Sequence, residues 1–385
     1  MSSIIATQAE IENELARRKF SYFFKRVWPI VEPGTPLADN WHIELICEYL
    51  EQAMDRKIRR LIINIPPRFL KSKLVNIIWP AYILGKYPNE NIITCSYSAD
   101  LSIKFSDSTR TLMRSDLYKE IFPDTVISST QDTKDHYETT KKGARYATSV
   151  GGTIIGFGGD IRIMDDPLDA KQSYSPTERR NVNRWFDGSF MTRYNDPKRD
   201  VVVVMMQRLN IDDLTGHLIK KGGWELLSIS QQAKDTEIYS IGEFRHIRQK
   251  DEYIHPERFG KKEAEAAKVD LGSFNYEAQH QQNPFPEGGG VIKIAWFPRY
   301  QKKPEFEEVV LSLDTATSDR EINNPSVISA FGLHNNIWYL FDVWKGKVGY
   351  PKLKQVVEAK GNEYQPNWVL IEDKSSGSQL IQEIR

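Results

Sequence analysis

Residues 61–72 read LIINIPPRFLKS and run on into LVNIIW at 74–79. Branched apolar residues, a double proline, and a Lys-Ser pair heading a second apolar run predict a buried strand, a loop and a helix. At a helix N-terminus the free backbone N–H groups and the helix dipole favour an anion. In that geometry Lys71 meets the β/γ-phosphates of a nucleotide and the Ser72 hydroxyl takes Mg²⁺. The strict string G-x-x-x-x-G-K-[ST] is not met, because Ile65 and Leu70 stand in the two glycine places. A solvated Lys-Ser at an ordinary helix start is the plain alternative.

A second string bears on that choice. In GGDIRIMDDPL (158–168), Asp165 and Asp166 follow the apolar alternation Ile161, Ile163, Met164, and Pro167 stops the segment. A strand ending in two acids suits nucleotide hydrolysis: the first carboxylate holds Mg²⁺ through its water shell and the second orients the attacking water. Asp-Asp-Pro is also good turn chemistry. The two strings together favour nucleotide binding.

Other short apolar runs alternate with helical stretches. LIINI (61–65), NIITCSYS (91–98), DIRIMDD and DVVVVMM (200–206) predict strands, with helices after Trp41-His42, from Lys71 and near 100–115. That alternation predicts an α/β fold with a largely parallel sheet and helices on its faces. Residues 8–28 carry Ile11, Leu15, Phe23, Phe24 and Val27 near helical spacing and predict one amphipathic packing helix. The Gly-, Thr- and Ser-rich stretch YETTKKGARYATSVGGTIIGFGGD, from residue 137, predicts either a hairpin meander or a mobile loop.

A length of 385 residues suggests about two domains, and NPFPEGGG at 283–290 marks the boundary, giving 1–285 and 286–385. Hydrophobic content of 40% with 27% charged residues is that of a soluble globular chain. Lys+Arg 52 against Asp+Glu 52 leaves no net field, so contact with nucleic acid has to come from local basic patches. Cys47 and Cys95 sit in apolar contexts without metal-ligand spacing, which fits a reducing compartment. No apolar stretch reaches about 18 residues and the start has no signal-peptide plan, so a cytoplasmic protein without a membrane span is expected.

Past the boundary, EEVVLSLDTATSD (307–319) predicts a strand ending at Asp314. SVISAFGLHNNIWYLFDVWKG (326–346) predicts two strands turning at His334-Asn335-Asn336, a helix covers 352–361, and NWVLIEDKSSG (367–377) predicts a strand ending at Glu372-Asp373. Acids at the ends of neighbouring strands are how closely spaced Mg²⁺ ions are bound in two-metal nucleases of the RNase H type.

Taken together, LIINIPPRFLKSKLV, IMDDPL, VVVVMMQRLNIDDLTGHL, NYEAQHQQNP, GGGVIKIAWFPRY, LSLDTATSD and VLIEDKSSG make the chain resemble the large subunit of a tailed-phage terminase, from about Trp41 onward. The resemblance implies a P-loop ATPase followed by a partial RNase H-like nuclease domain. It implies ATP-driven packaging of double-stranded DNA into a procapsid, with metal-dependent cutting of concatemers and a grip on DNA through phosphate contacts. Pro67, Arg68, Lys71, Ser72 and Asp165 then contact nucleotide, with Ser72 and Asp165 on Mg²⁺. Asp166 is the catalytic carboxylate, where relatives often carry Glu, Arg68 stabilises the transferring phosphoryl group, and Gln207 senses the γ-phosphate. Trp41-His42 falls where adenine contacts lie, or else caps and staples its helix.

In the second domain Asp314 and Glu372 are the implied metal ligands and catalytic acids, with Asp373 a substitute for Glu372. Lys374 contacts DNA phosphate or neutralises those acids, and a third acid is expected beyond Arg385. Mn²⁺ can replace Mg²⁺ there. The implied partners are duplex DNA, a portal protein, a small terminase subunit and further copies of the chain in a ring, in the cytoplasm of a bacterial host. Two alternatives stay open: an ATP-dependent DNA helicase or remodeller, and an inactive prophage-remnant protein that binds nucleotide poorly.

Overall fold

Two helices, α1 (Gln8–Arg18) and α2 (Phe20–Val31), stand where one was expected. Lys19 breaks the run with an extended backbone (φ −126°, ψ 129°), ending one helix and starting the next. The break lets Phe20, Phe23, Phe24 and Val27 enter the core while Ile11 and Leu15 stay exposed. This computed structural model describes residues 7–286, 296–315, 326–346, 348–372 and 376–384, so Asp373, Lys374 and most of the Gly-rich boundary lie outside the described residues. The chain divides into two compact units, Met1–Ile292 and Lys293–Arg385.

In the first unit α3 (Trp41–Met54) leads to β1 (Arg60–Asn64). The helix after Lys71 begins as wide π-type turns over Lys73–Ile78 and tightens into α4 (Trp79–Lys86). Then come β2 (Asn91–Ser96), α5 (Ala99–Arg114), α6 (Asp116–Ile121), β3 (Ile127–Asp132), β4 (His136–Thr139), β5 (Ala144–Ser149) and β6 (Ile161–Asp165). After these follow α7 (Pro176–Trp185), β7 (Val201–Met206), α8 (Leu214–Lys221) and β8 (Glu225–Ser228). The Gly-rich stretch thus opens as the antiparallel β4-β5 hairpin, to which β3 adds from upstream, while Gly151, Gly152, Gly156, Gly158 and Gly159 lie in the connection between β5 and β6.

Eight strands form one sheet in the order β3-β4-β5-β2-β6-β7-β1-β8. From β5 to β8 every neighbouring pair is parallel. The expected α/β class with a mostly parallel sheet is what the chain adopts. Side chains alternate between the faces of a strand, and here both faces are covered. Leu61, Ile63, Ile161, Ile163, Val201 and Val203 pack with α2, α3 and α4. Ile62, Ile93, Met164, Val202 and Val204 pack with Phe186, Phe190, Leu214 and Leu218 on the other side. A strand buried on both faces has no polar alternation, which is why VVVVMM reads as a continuous apolar run.

A two-stranded hairpin, β9 (Glu237–Ile241) and β10 (Phe244–Arg248), lies against α3. Helix α9 (Lys261–Gln279) is interrupted at Gly272, whose φ of 71° suits glycine. The second unit is a four-stranded sheet of order β13-β12-β11-β14, built from β11 (Glu308–Asp314), β12 (Ser326–His334), β13 (Ile337–Gly346) and β14 (Trp368–Ile371). Leu311, Leu313, Ile328 and Ala330 pack beneath α10 (Tyr350–Tyr364) and α11 (Ser376–Ile384) through Leu353, Val357 and Leu380. Asn335 (φ 50°) and Asn336 (φ 58°) make the hairpin turn, both left-handed as a primed turn requires. Among the described residues no helix is long and apolar enough to cross a membrane.

Candidate functional site

Three neighbouring strands bring the first unit's polar residues together. Strand β1 runs into the Lys71 loop, β6 ends in Asp165-Asp166, and β7, which lies between them, ends just before Gln207. In a parallel sheet these C-terminal ends share one edge, the usual place for a ligand in an open α/β fold.

The loop leaves the sheet because Pro66 and Pro67 have no N–H to continue the ladder; Ile65 N–H still donates to the Met206 carbonyl at 3.4 Å. Arg68 (φ 69°) and Leu70 (φ 64°) then turn left-handed, a conformation costing a non-glycine residue about 1–3 kcal/mol. Leu70 therefore does with strain what a glycine would do freely. Between them Phe69 points inward, its ring 5.4 Å from His42 and 6.5 Å from Phe259, and anchors the loop. Pro67 is half-buried with no N–H to offer an anion, and Arg68 is exposed at the rim.

Lys71 is buried, and its Nζ lies 3.0 Å from Asp166 Oδ2 and donates to Gln207 Oε1 at 2.8 Å. The backbone N–H of Gln207 donates to Asp166 Oδ1 at 3.3 Å, so carboxylate, ammonium and amide close a ring. Asp166 itself turns left-handed (φ 43°), which swings its side chain off the strand direction toward Lys71. Asp165 is buried, with Oδ2 accepting from Asn76 Nδ2 at 3.3 Å. Burial, and then the Asp166 charge, push its carboxyl well above the ordinary carboxylate range, while Ser72, Lys71 and Asn76 pull the other way.

Asp165 Oδ1 accepts no hydrogen bond of ordinary geometry among the described residues. An orphaned carboxylate oxygen with a serine hydroxyl at its side is the hard-oxygen donor set that Mg²⁺ takes. The residues present therefore fit the ion.

Trp41 does not offer a free face. Its ring stacks on His246 (4.2 Å, 14°) and meets Tyr239, and its Nε1 donates to the Ile254 carbonyl at 3.1 Å. His42 is buried, contacts Asn40 Oδ1 at 3.2 Å, and has its pKa lowered to about 3, chiefly by burial. Three polar residues not singled out in the sequence complete the surroundings: Asn76, Ser96 and Arg145. The one signal for Asn76 was an amide inside the apolar run LVNIIW.

In the second unit β11 and β14 are parallel, with Leu313 opposite Ile371. Asp314 and Glu372 are the next residues along the two strands, so the register brings these acids to adjacent strand ends. Both are exposed. Among the described residues no group of three His, Cys, Asp or Glu is placed to hold a metal ion.

No protein-family model and no curated protein sequence matches the chain. Among solved structures, the chain is similar to the large terminase from a thermophilic bacteriophage in complex with ADP, at 11% identity over 87% of this chain and 79% of that one, with a TM-score of 0.34. The same phage protein in complex with ATP-gamma-S matches at 10% identity over 87% and 86%, with a TM-score of 0.35. The Phi-28 gp11 DNA packaging motor matches at 10% identity over 84% and 93%, with a TM-score of 0.30.

Proposed function

We propose that the first unit hydrolyses ATP to drive double-stranded DNA into a viral procapsid, and that the second carries a metal-dependent endonuclease. The observation that carries this reading is the placement of Lys71 Nζ between Asp166 Oδ2 and Gln207 Oε1, at 3.0 and 2.8 Å, on adjacent strand ends. An ammonium so placed can exchange these two partners for the β/γ-phosphate oxygens of a nucleotide at the start of the following helix. Asp166 is then released to orient and deprotonate water, held in direction by the Gln207 N–H. Gln207 loses its lysine at the same moment and thereby registers the phosphate. Arg68, at the rim, is within the loop that would cover the transferring group. Mg²⁺, held by Ser72 and Asp165, would neutralise phosphate charge.

DNA as the cargo, and a portal, a small subunit and a ring of copies as partners, follow from the sequence resemblance. The adjacent strand ends of Asp314 and Glu372 support cutting, since a helicase gives no reason for those acids.

Turnover of Mg-ATP by the purified chain, stimulated by linear duplex and lost in Lys71→Ala, is the expected result, without strand separation. A chain that binds ATP without hydrolysing it would favour the inactive nucleotide-binding protein instead, and one that parts duplex strands would favour the helicase.

A further inference from the structure

Arg145 is a fully buried guanidinium whose hydrogen-bond partners among the described residues are all neutral. Its Nη1 donates to Thr109 Oγ1, and its Nη2 lies 2.7 Å from the Asn76 carbonyl oxygen, 2.9 Å from Asn76 Oδ1 and 3.3 Å from Thr94 Oγ1. A buried cation without a paired carboxylate costs several kcal/mol, so its place needs a reason. That reason lies one residue further on. A guanidinium can only donate, so it fixes Asn76 with the amide oxygen toward Arg145 and the amide nitrogen away from it. The nitrogen then faces Asp165 Oδ2 and Ser96 Oγ, each at 3.3 Å.

The backbone assists. Asn76 sits in the wide turns of Lys73–Ile78, where carbonyls fall off the regular helical ladder. The Asn76 and Ile77 carbonyls accept instead from Arg145 and from Thr109 Oγ1, the latter at 2.8 Å to Ile77. The wide turn is thereby held open with Asn76 projecting at the β6 end.

We infer that Arg145 and Asn76 form one positioning unit, which holds Asp165 by Oδ2 so that Oδ1, which accepts no hydrogen bond of ordinary geometry among the described residues, is presented to the divalent cation of a bound nucleotide. This rests on the nucleotide reading above. Groups that orient a metal ligand typically change metal affinity about 10–100-fold when removed.

The test measures ADP affinity of the full chain with Mg²⁺ and with EDTA, and takes the ratio as the metal's contribution. Asn76→Leu and Arg145→Met should each reduce that ratio about tenfold or more while leaving metal-free ADP affinity unchanged. The double variant should lose no more than either single one, because residues acting as a unit are not additive. Arg145→Lys should recover part of the ratio. If Arg145→Met fails to fold, as judged by circular dichroism, Asn76→Leu and Asn76→Ser carry the comparison. An unchanged ratio in a folded Asn76→Leu protein, or additive losses, overturns the positioning unit. A wild-type chain that binds ADP with no help from Mg²⁺ also overturns it and leaves the ATPase reading standing, whereas one that binds no ADP removes that reading as well.

Discussion

Lys71 and Asp166 are partners at 3.0 Å, yet their removal should be felt at different steps. Lys71→Ala takes away the charge proposed to meet phosphate, so nucleotide binding should weaken and turnover should vanish. Asp166→Asn keeps the size and the Gln207 N–H contact but gives up the base, so binding should persist while single-turnover hydrolysis slows about 10²-fold or more. Asp166→Glu restores a carboxylate one methylene longer and is the informative control. Hydrolysis by Asp166→Asn at the wild-type rate would show that another group activates water. Gln207→Ala should leave ATP binding nearly intact and reduce DNA translocation more than hydrolysis, because its side chain touches the Lys71 ammonium. Equal losses in the two assays would make Gln207 part of the chemistry.

The strands were legible in the sequence because a strand buried on both faces must be a run of apolar residues, and LIINI and VVVVMM are such runs. A polar turn at His334-Asn335-Asn336 was legible too, and its primed form at Asn335-Asn336 follows because asparagine tolerates the left-handed backbone. The charges inside the strands were not. Arg162 in β6 is buried against Asp200, with Nη2 at 2.7 and 2.8 Å from the two carboxylate oxygens, and Arg60 adds a contact at 2.7 Å. Asp200 precedes β7, so nothing near Arg162 in the chain announces its partner. The same holds for Arg145 and Asn76, joined only by folding. The break at Lys19 was hidden because apolar spacing continues across it on both sides. Replacing Asp200 with Asn should leave the Arg162 charge buried and uncompensated, costing about 3–5 kcal/mol in denaturant unfolding. A loss under about 1 kcal/mol would mean that water reaches Arg162.

At the scale of the molecule, the histidines behind the loop make the first unit sensitive to acid. His42 is lowered to about 3 and His280 to about 4, both mainly by burial, against an ordinary value of 6.5. Each is neutral when folded and takes up a proton on unfolding below pH 6.5. Stability is therefore fully present above that pH and falls as pH drops toward 4, by up to about 1.4 kcal/mol per pH unit for each histidine. Melting temperature measured from pH 7 to pH 5 should fall, and His42→Phe should flatten the slope; an unchanged slope would place the acid sensitivity elsewhere. In the second unit, duplex cleavage should appear with Mn²⁺ before Mg²⁺, since Mg²⁺ sheds water reluctantly and two carboxylates hold it weakly. Asp314→Ala and Glu372→Gln should each abolish it, and cutting unchanged in both would acquit these acids.

The strand order also has a history on the ribosome. Strand β1 has only β7 and β8 as neighbours, so the segment leading to Lys71 finds its first partner at Val201. At ordinary synthesis rates that wait lasts roughly 7–30 s, during which a strand with the apolar centre Leu61-Ile62-Ile63 has no neighbour to pair with. The site thus cannot form before Gln207 is made, and a nascent chain halted before Met206 would expose a sticky segment for chaperones to cover.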